Sequence, residues 1–151
     1  MSGSSSVAPI SKRVISFMID DMVIAIFIVV IFYKQLQDLA ILLQSATSKE
    51  EQKGILDAFI LQSLPIVVAI KVLYHSLLIW QTGMTVGKYI ARIKVVDSET
   101  QGLPSLWQSL WRGSIRIMSE ALLYVGFIFA LVSPQRQTLH DKLSNCVVID
   151  V

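Results

Sequence analysis

Five ionisable side chains interrupt long apolar stretches of this sequence: Asp20, Asp21, Lys71, His75 and Glu120. On insertion scales, a charged residue at mid-membrane costs about 2.5–3.5 kcal/mol. Such groups persist only if they are paired, hydrated or used. Carboxylates ligate hard cations and imidazole titrates near neutral pH, so the chemistry these types suit is cation or proton handling. Helical rise puts Asp20 about 10 Å into its run and, on a second helix running back, His75 about 9 Å from the same membrane face. Lys71 is one turn deeper on the His75 face, and Glu120 reaches a similar depth if its run begins near Ser114. Arg13 precedes Asp20 by nearly two turns on one helix face. Two readings follow. In one, Asp20, Asp21, His75 and Glu120 bind ions or protons, supported by Arg13, Lys71, Arg116 and Asp141. In the other, Asp20–Lys71 or Asp20–His75 is a structural ion pair that fixes helix register.

Other constellations carry less. Gly83-Met84-Thr85-Val86-Gly87-Lys88 looks like part of a phosphate loop, but its glycine spacing is short and Tyr89 stands where Ser or Thr is required. His140 and Asp141 form a candidate catalytic pair without a Ser or Cys nucleophile motif, and a local turn or surface hydrogen bond explains them more simply. The lone Cys146 lies beside Val147 and Val148, which suits a buried, inert thiol. One cysteine per chain excludes a disulfide framework, an iron–sulfur cluster and a cysteine-based zinc site. The sequence calls for no cofactor and no enzymatic activity.

The elements that must position these residues belong to a membrane protein. The chain has 151 residues, 54% of them hydrophobic and only 16% charged, and a mean hydropathy of +0.63. A soluble domain carries about 25% charged residues. A net charge of +2 gives no reason to expect nucleic acid. Residues 1–12 read as a polar tail and 13–151 as one membrane domain. The start lacks a secretory pattern, so the first apolar run reads as a retained anchor. Candidate spans cover 14–32, 58–80 and 117–132, the second interrupted by Pro65. The polar stretch 33–57 extends the first helix or lies along the surface, with Ser48 opening a capping box for a new helix. Residues 103–116 read as an interfacial amphipathic helix anchored by Trp107 and Trp111. The expected fold is thus an all-α integral membrane protein, with three hydrophobic helices and one interfacial helix. Residues 93–97 and 147–151 suit a short two-stranded β element.

Basic residues set orientation. With three crossings and a cytoplasmic N-terminus, seven Lys and Arg fall inside and five outside. If the third run is re-entrant and the tail returns, nine fall inside and three outside, and the two β-like runs can pair. Three crossings are the default, because 117–132 is an adequate span with little room for a hairpin.

Taken together, these residues resemble the RDD family of small bacterial membrane proteins, named for one Arg and two Asp. Arg13 matches the Arg and Asp20 the first Asp; the second is Asp21 or Asp141. The likeness continues through 81–88, then 92–97, Arg112 or Arg116, and 136–143 followed by Val147–Val148. It runs from about Ile10 to the end of the chain. Asn145–Cys146 departs from the Gly–Thr more usual there. The resemblance implies a multi-pass protein of the bacterial cytoplasmic (inner) membrane. It also implies transport, with some members resembling cation/proton antiporters. Two functions are held against each other. One is cation/proton transport through Asp20, for which three helices are few, so a homo-oligomer is needed. The other is a scaffold or accessory subunit for a membrane-protein partner. Expected partners are the lipid bilayer, another membrane protein or a second copy, and monovalent cations and protons.

Overall fold

A computed structural model describes residues 6–121 and 138–151. The order of elements is α1 (Ile10–Ile31), α2 (Tyr33–Ser45), α3 (Lys49–Thr82), α4 (Val86–Ala91), β1 (Ile93–Asp97), α5 (Leu106–Ala121), α6 (Leu139–Leu143) and β2 (Cys146–Asp150). Two of the described helices, α1 and α3, are long and apolar enough to cross a membrane. The third expected span, 117–132, begins inside α5, and its remainder lies outside the described residues. The boundary expected between an interfacial helix ending at 116 and a span starting at 117 is not there: one helix runs through it. Its 106–121 stretch holds no Pro, and Gly113 is tolerated because it packs against α3.

The first loop is helical. α2 follows α1 after a single irregular residue, Phe32, and exposes all its hydrophobic side chains or leaves them half-buried. Ser48 caps α3 as its sequence predicts, accepting from the Glu51 amide at 3.1 Å. The return bond of the cap goes one residue earlier, from the Thr47 amide to Glu51 at 2.9 Å. α3 then continues through Pro65 for 34 residues, about 51 Å at helical rise and longer than a bilayer core. It ends at Gly83, whose φ of 75° is the left-handed cap glycine accepts most readily.

The faces that are buried are polar. α1 buries Ser16, Asp20 and Ile24 while Val14, Met18, Met22, Ile26 and Val30 are exposed. α5 buries Ser109, Arg112, Arg116 and Ser119 and exposes Trp107, Trp111 and Met118. A helix with its polar stripe inward and its apolar stripe outward is soluble in lipid, not water, because hydrocarbon gives apolar side chains no reason to hide. The amphipathic pattern of α5 is therefore real but inverted: its arginines face the protein.

β1 and β2 pair antiparallel, with Ile93 opposite Asp150 and Asp97 opposite Cys146. The pairing is the expected one, with the second strand starting one residue earlier. The N-terminal segment joins them: Val7 bridges Ile149, and the Ala8 amide donates to Val148 at 2.9 Å. Ala8, Ile79, Ile93, Val95, Cys146 and Val148 form a small apolar core under this sheet. The start of the chain, the segment after α3 and the C-terminal strand thus meet at one end of the α1–α3 pair. The strand pairing that the returning-tail alternative allowed is therefore present, while the course of 122–137, on which the choice between it and three crossings turns, lies outside the described residues.

The turn after β1 is closed by Asp97. Its carboxylate accepts from the amides of Glu99 (2.9 Å) and Thr100 (2.8 Å), and from the side chains of Thr100 and Gln108. The Thr100 amide, the Gln108 side chain and the Glu99 amide together pull its pKa down to about 2, so the carboxylate stays ionised to that pH. A depressed value stabilises the fold above the ordinary Asp range, and this is lost as pH falls through about 2. Asp97→Ala is expected to cost about 1–3 kcal/mol. Thermal unfolding in detergent micelles checks it; an unchanged midpoint would contradict the role.

Candidate functional site

Three connected ionic groups lie where α1, α3, α4, α5 and α6 meet. The first is centred on Asp20, fully buried on α1. α1 and α4 approach so closely at Gly87 that a Cβ there would stand 2.0 Å from the Ser16 carbonyl oxygen and 2.9 Å from Asp20 Cγ. That approach lets the Gly87 amide donate to Asp20 at 2.8 Å. Thr85 Oγ1 donates at 2.6 Å and the Tyr74 hydroxyl at 2.9 Å. Lys88 Nζ lies 3.8 Å away, with its side chain 6% exposed.

The second group is centred on Asp141, also fully buried. Arg13 Nη1 donates to Oδ2 at 2.7 Å, and Arg112 donates to Oδ1 through Nε at 3.0 Å and through Nη2. The Thr138 amide adds a weaker bond at 3.3 Å, and His140 Nε2 is 3.7 Å from Oδ1. Burial alone would push this carboxyl up. Arg112, His140 and Arg13 outweigh it and hold the group well below the ordinary Asp range. His140 itself is pushed well below its ordinary value, first by burial and then by Arg112 and Arg116, against the pull of Asp141.

The third group is a chain of pairs. Lys71 donates to Glu120 at 2.8 Å and more loosely to Asp21 at 3.4 Å. Arg116 donates to Glu120 at 3.2 Å. Arg116 also donates to His75 Nδ1 at 3.2 Å and stands 4.9 Å over the Phe17 ring. As an acceptor from a guanidinium, His75 presents a lone pair at Nδ1 and is the neutral ring. Helix α5 sits tight against α3 here: a Cβ on Gly113 would be 2.6 Å from Ser76 Oγ.

The residues singled out in the sequence therefore come to one region but not to one cluster. Asp20 and Asp21 point to different partners, as neighbours on a helix must. Neither Asp20–Lys71 nor Asp20–His75 is a pair; Asp20 takes Lys88, His75 takes Arg116, and Lys71 takes Asp21 and Glu120. Arg13 shares a helix with Asp20 but reaches Asp141. The pair His140–Asp141 is buried, not a surface turn. Sequence reasoning passed over Tyr74, Thr85, Gly87, Lys88 and Arg112 as site residues. The signal available was the Gly-and-Lys segment 83–88, which read as a failed phosphate loop.

The chain matches the family model described as the RDD family over residues 7–145. It is 34% identical over 67 residues to an uncharacterized protein of Rickettsia prowazekii (strain Madrid E), covering 44% of this chain and 36% of that protein. It is 36% identical over 70 residues to the proline-rich antigen homolog of Mycobacterium tuberculosis (strain CDC 1551 / Oshkosh), covering 46% of this chain and 29% of that protein. The chain thus spans about a third of the length of these relatives. No solved structure matches it.

Proposed function

The chain belongs to the RDD family of membrane proteins, and from that premise we propose that it is a scaffold or accessory subunit, with its buried charges as pins between helices. One observation carries this: the carboxylates that lie between the described helices, Asp20, Asp21, Glu120 and Asp141, each face a cation from another element, while the buried Asp97 closes its own turn. Asp141 (α6) is held by Arg13 of α1 and Arg112 of α5, Glu120 (α5) by Lys71 of α3, and Asp20 (α1) lies 3.8 Å from Lys88 of α4. In an apolar solvent such pairs are costly to break and specify register, which is the best-attested use of buried ions. In this reading the second Asp of the family name is Asp141, whose partner is the Arg of that name. The exposed Trp107, Trp111 and Leu143 around a groove of about 500 Å³ between α5 and α6 are the surface offered to a partner or a second copy. No bond-breaking step falls to His140 and Asp141, since two arginines already occupy Asp141. The site is the cytoplasmic (inner) membrane of a bacterium, with the N-terminus cytoplasmic.

Cation/proton transport is the second reading, favoured by a single feature. The Lys71–Asp21–Glu120 group is only partly covered by the described residues, with Lys71 22% and Asp21 35% exposed, so those residues do not close off Asp21. Both readings meet one experiment. The pure protein is reconstituted in liposomes with an internal pH dye, and sodium, lithium or potassium gradients are imposed. The scaffold reading expects no cation-dependent proton flux from correctly inserted protein, and a stable hetero-complex after mild-detergent pull-down. A flux that Asp20→Asn or Asp21→Asn abolishes in folded protein, together with a monodisperse homo-oligomer, would replace it with transport.

A further inference from the structure

Lys88 stands apart from the other cations of the core. The four arginine and lysine side chains around it, Arg13, Arg112, Arg116 and Lys71, each donate at least one hydrogen bond to a carboxylate. Among the described residues, Lys88 Nζ donates none to a carboxylate; it pairs with Asp20 at 3.8 Å. That carboxylate is already supplied by three neutral donors, the Tyr74 and Thr85 hydroxyls and the Gly87 amide. Asp20 therefore does not depend on the lysine to be satisfied, and the lysine gains little from Asp20. An ammonium on a side chain only 6% exposed, with no hydrogen bond among the described residues, is a poor occupant of its position, whereas a neutral amine is a better one.

The surroundings point the same way. From α5, Arg116 and Arg112 face Lys88; from α3, His75 and Tyr74; from α6, His140 and Asp141; from α1, Asp20. β1, which follows α4, carries Lys94 and Asp97, the latter committed to its own turn. Arg116 Nη2 and Arg13 Nε and Nη2 are buried and find no acceptor among the described residues.

We propose that Lys88 is a proton-binding site that gains and loses its proton within the physiological pH range, making and breaking the charge pair between α4 and Asp20 of α1. This goes beyond the scaffold reading and does not rest on it. Burial, then Arg116 and Arg112, pull the amine down to about 7 against Asp20 and Asp141. Between that value and the ordinary lysine range near 10.5 the unfolded chain holds the extra proton, so this group makes the fold more stable as pH rises. Lysine is the basic side chain suited to such a role, because arginine does not give up its proton.

The full chain, in lipid nanodiscs and labelled with 13C at lysine Cε, tests this by NMR titration from pH 5 to 11. The sequence has eight lysines. One Cε signal is expected to shift with a midpoint near 7, and the same signal is expected to be missing from Lys88→Arg. Asp20→Asn removes the anion and is expected to move that midpoint lower. Wild-type protein in which every lysine signal titrates near 10 would overturn the proposal without any variant. So would a neutral-pH signal that survives in folded Lys88→Arg. Should Lys88→Arg fail to fold, acetic-anhydride labelling of wild-type protein decides it. Lys88 acylation rising through pH 7 supports the site, and a rise only with the other lysines refutes it. Neither outcome depends on whether the protein transports ions or binds a partner.

Discussion

Asp141→Ala is expected to unfold the protein or lower its stability by about 3–5 kcal/mol, the loss typical when one partner of a buried ionic group is removed. The substitution strands two guanidinium groups, Arg13 of α1 and Arg112 of α5, neither of which pairs with another carboxylate among the described residues. Arg13 already has Nε and Nη2 without acceptors among the described residues, so it has no alternative partner to fall back on. Asp141→Asn keeps an acceptor for one arginine, turns an NH2 donor toward the other and loses the charge, so a large loss is expected there too, smaller than for alanine. The pH dependence has a definite sign. Because the folded carboxyl is held well below the ordinary Asp value, its contribution is present above that value and fades only as pH falls well beneath it. Thermal melts in detergent, followed by tryptophan fluorescence from pH 3 to 7, check both statements. A melting point for Asp141→Ala within a degree of wild type would show that the clamp does not hold the fold.

Gly87→Ala is the second large effect. The new methyl group would sit 2.0 Å from the Ser16 carbonyl oxygen, with Asp20 Cγ at 2.9 Å. The obstacle is helix backbone, so relief requires α1 and α4 to separate, not a side chain to turn. Overpacking of a core costs about 1–3 kcal/mol when side chains can move, and a backbone collision belongs at or above the top of that range. Separation also lengthens the Gly87 amide bond to Asp20, now 2.8 Å, and withdraws Lys88 from Asp20. Gly54→Ala is the matched control: nothing lies within 4 Å of its Cβ position in α3. There alanine is expected to stabilise by about 0.5–1 kcal/mol, through helix propensity alone. Parallel melts of the two variants separate a steric effect from a general intolerance of alanine. Equal melting points would refute the close approach.

Much of the architecture is legible in single stretches of sequence. Val14–Phe32 and Ala58–Trp80 announce helices of membrane length, and Ser48 announces where α3 begins. The strands at 93–97 and near 147–151 show as β-branched runs beside turn residues. The residues of the family likeness, Arg13, Asp20, 81–88, 92–97, Arg112, Arg116 and Asp141, all lie in or beside the ionic core. These features are local: each depends on hydropathy, a cap or a motif within a few turns of chain.

Partner choice was not legible. Spacing put Arg13 and Asp20 on one face, yet Arg13 pairs with a residue 128 positions away. Depth arithmetic brought Asp20 and His75 level, but depth leaves the rotation of each helix open, and rotation decides which side chains meet. The pivot is Gly87, where the missing side chain lets α4 press onto α1 and hand Asp20 an amide, a hydroxyl and Lys88. The inverted faces of α5 depended likewise on what packs against it, since an amphipathic stripe has the same period whether its polar side faces water or a protein interior. By itself the sequence determined that this chain is a membrane protein of the RDD type with charges in its apolar runs. The tertiary structure alone decided which charge answers which, because hydrogen bonds a few ångströms long are set by close approach of backbones remote in sequence.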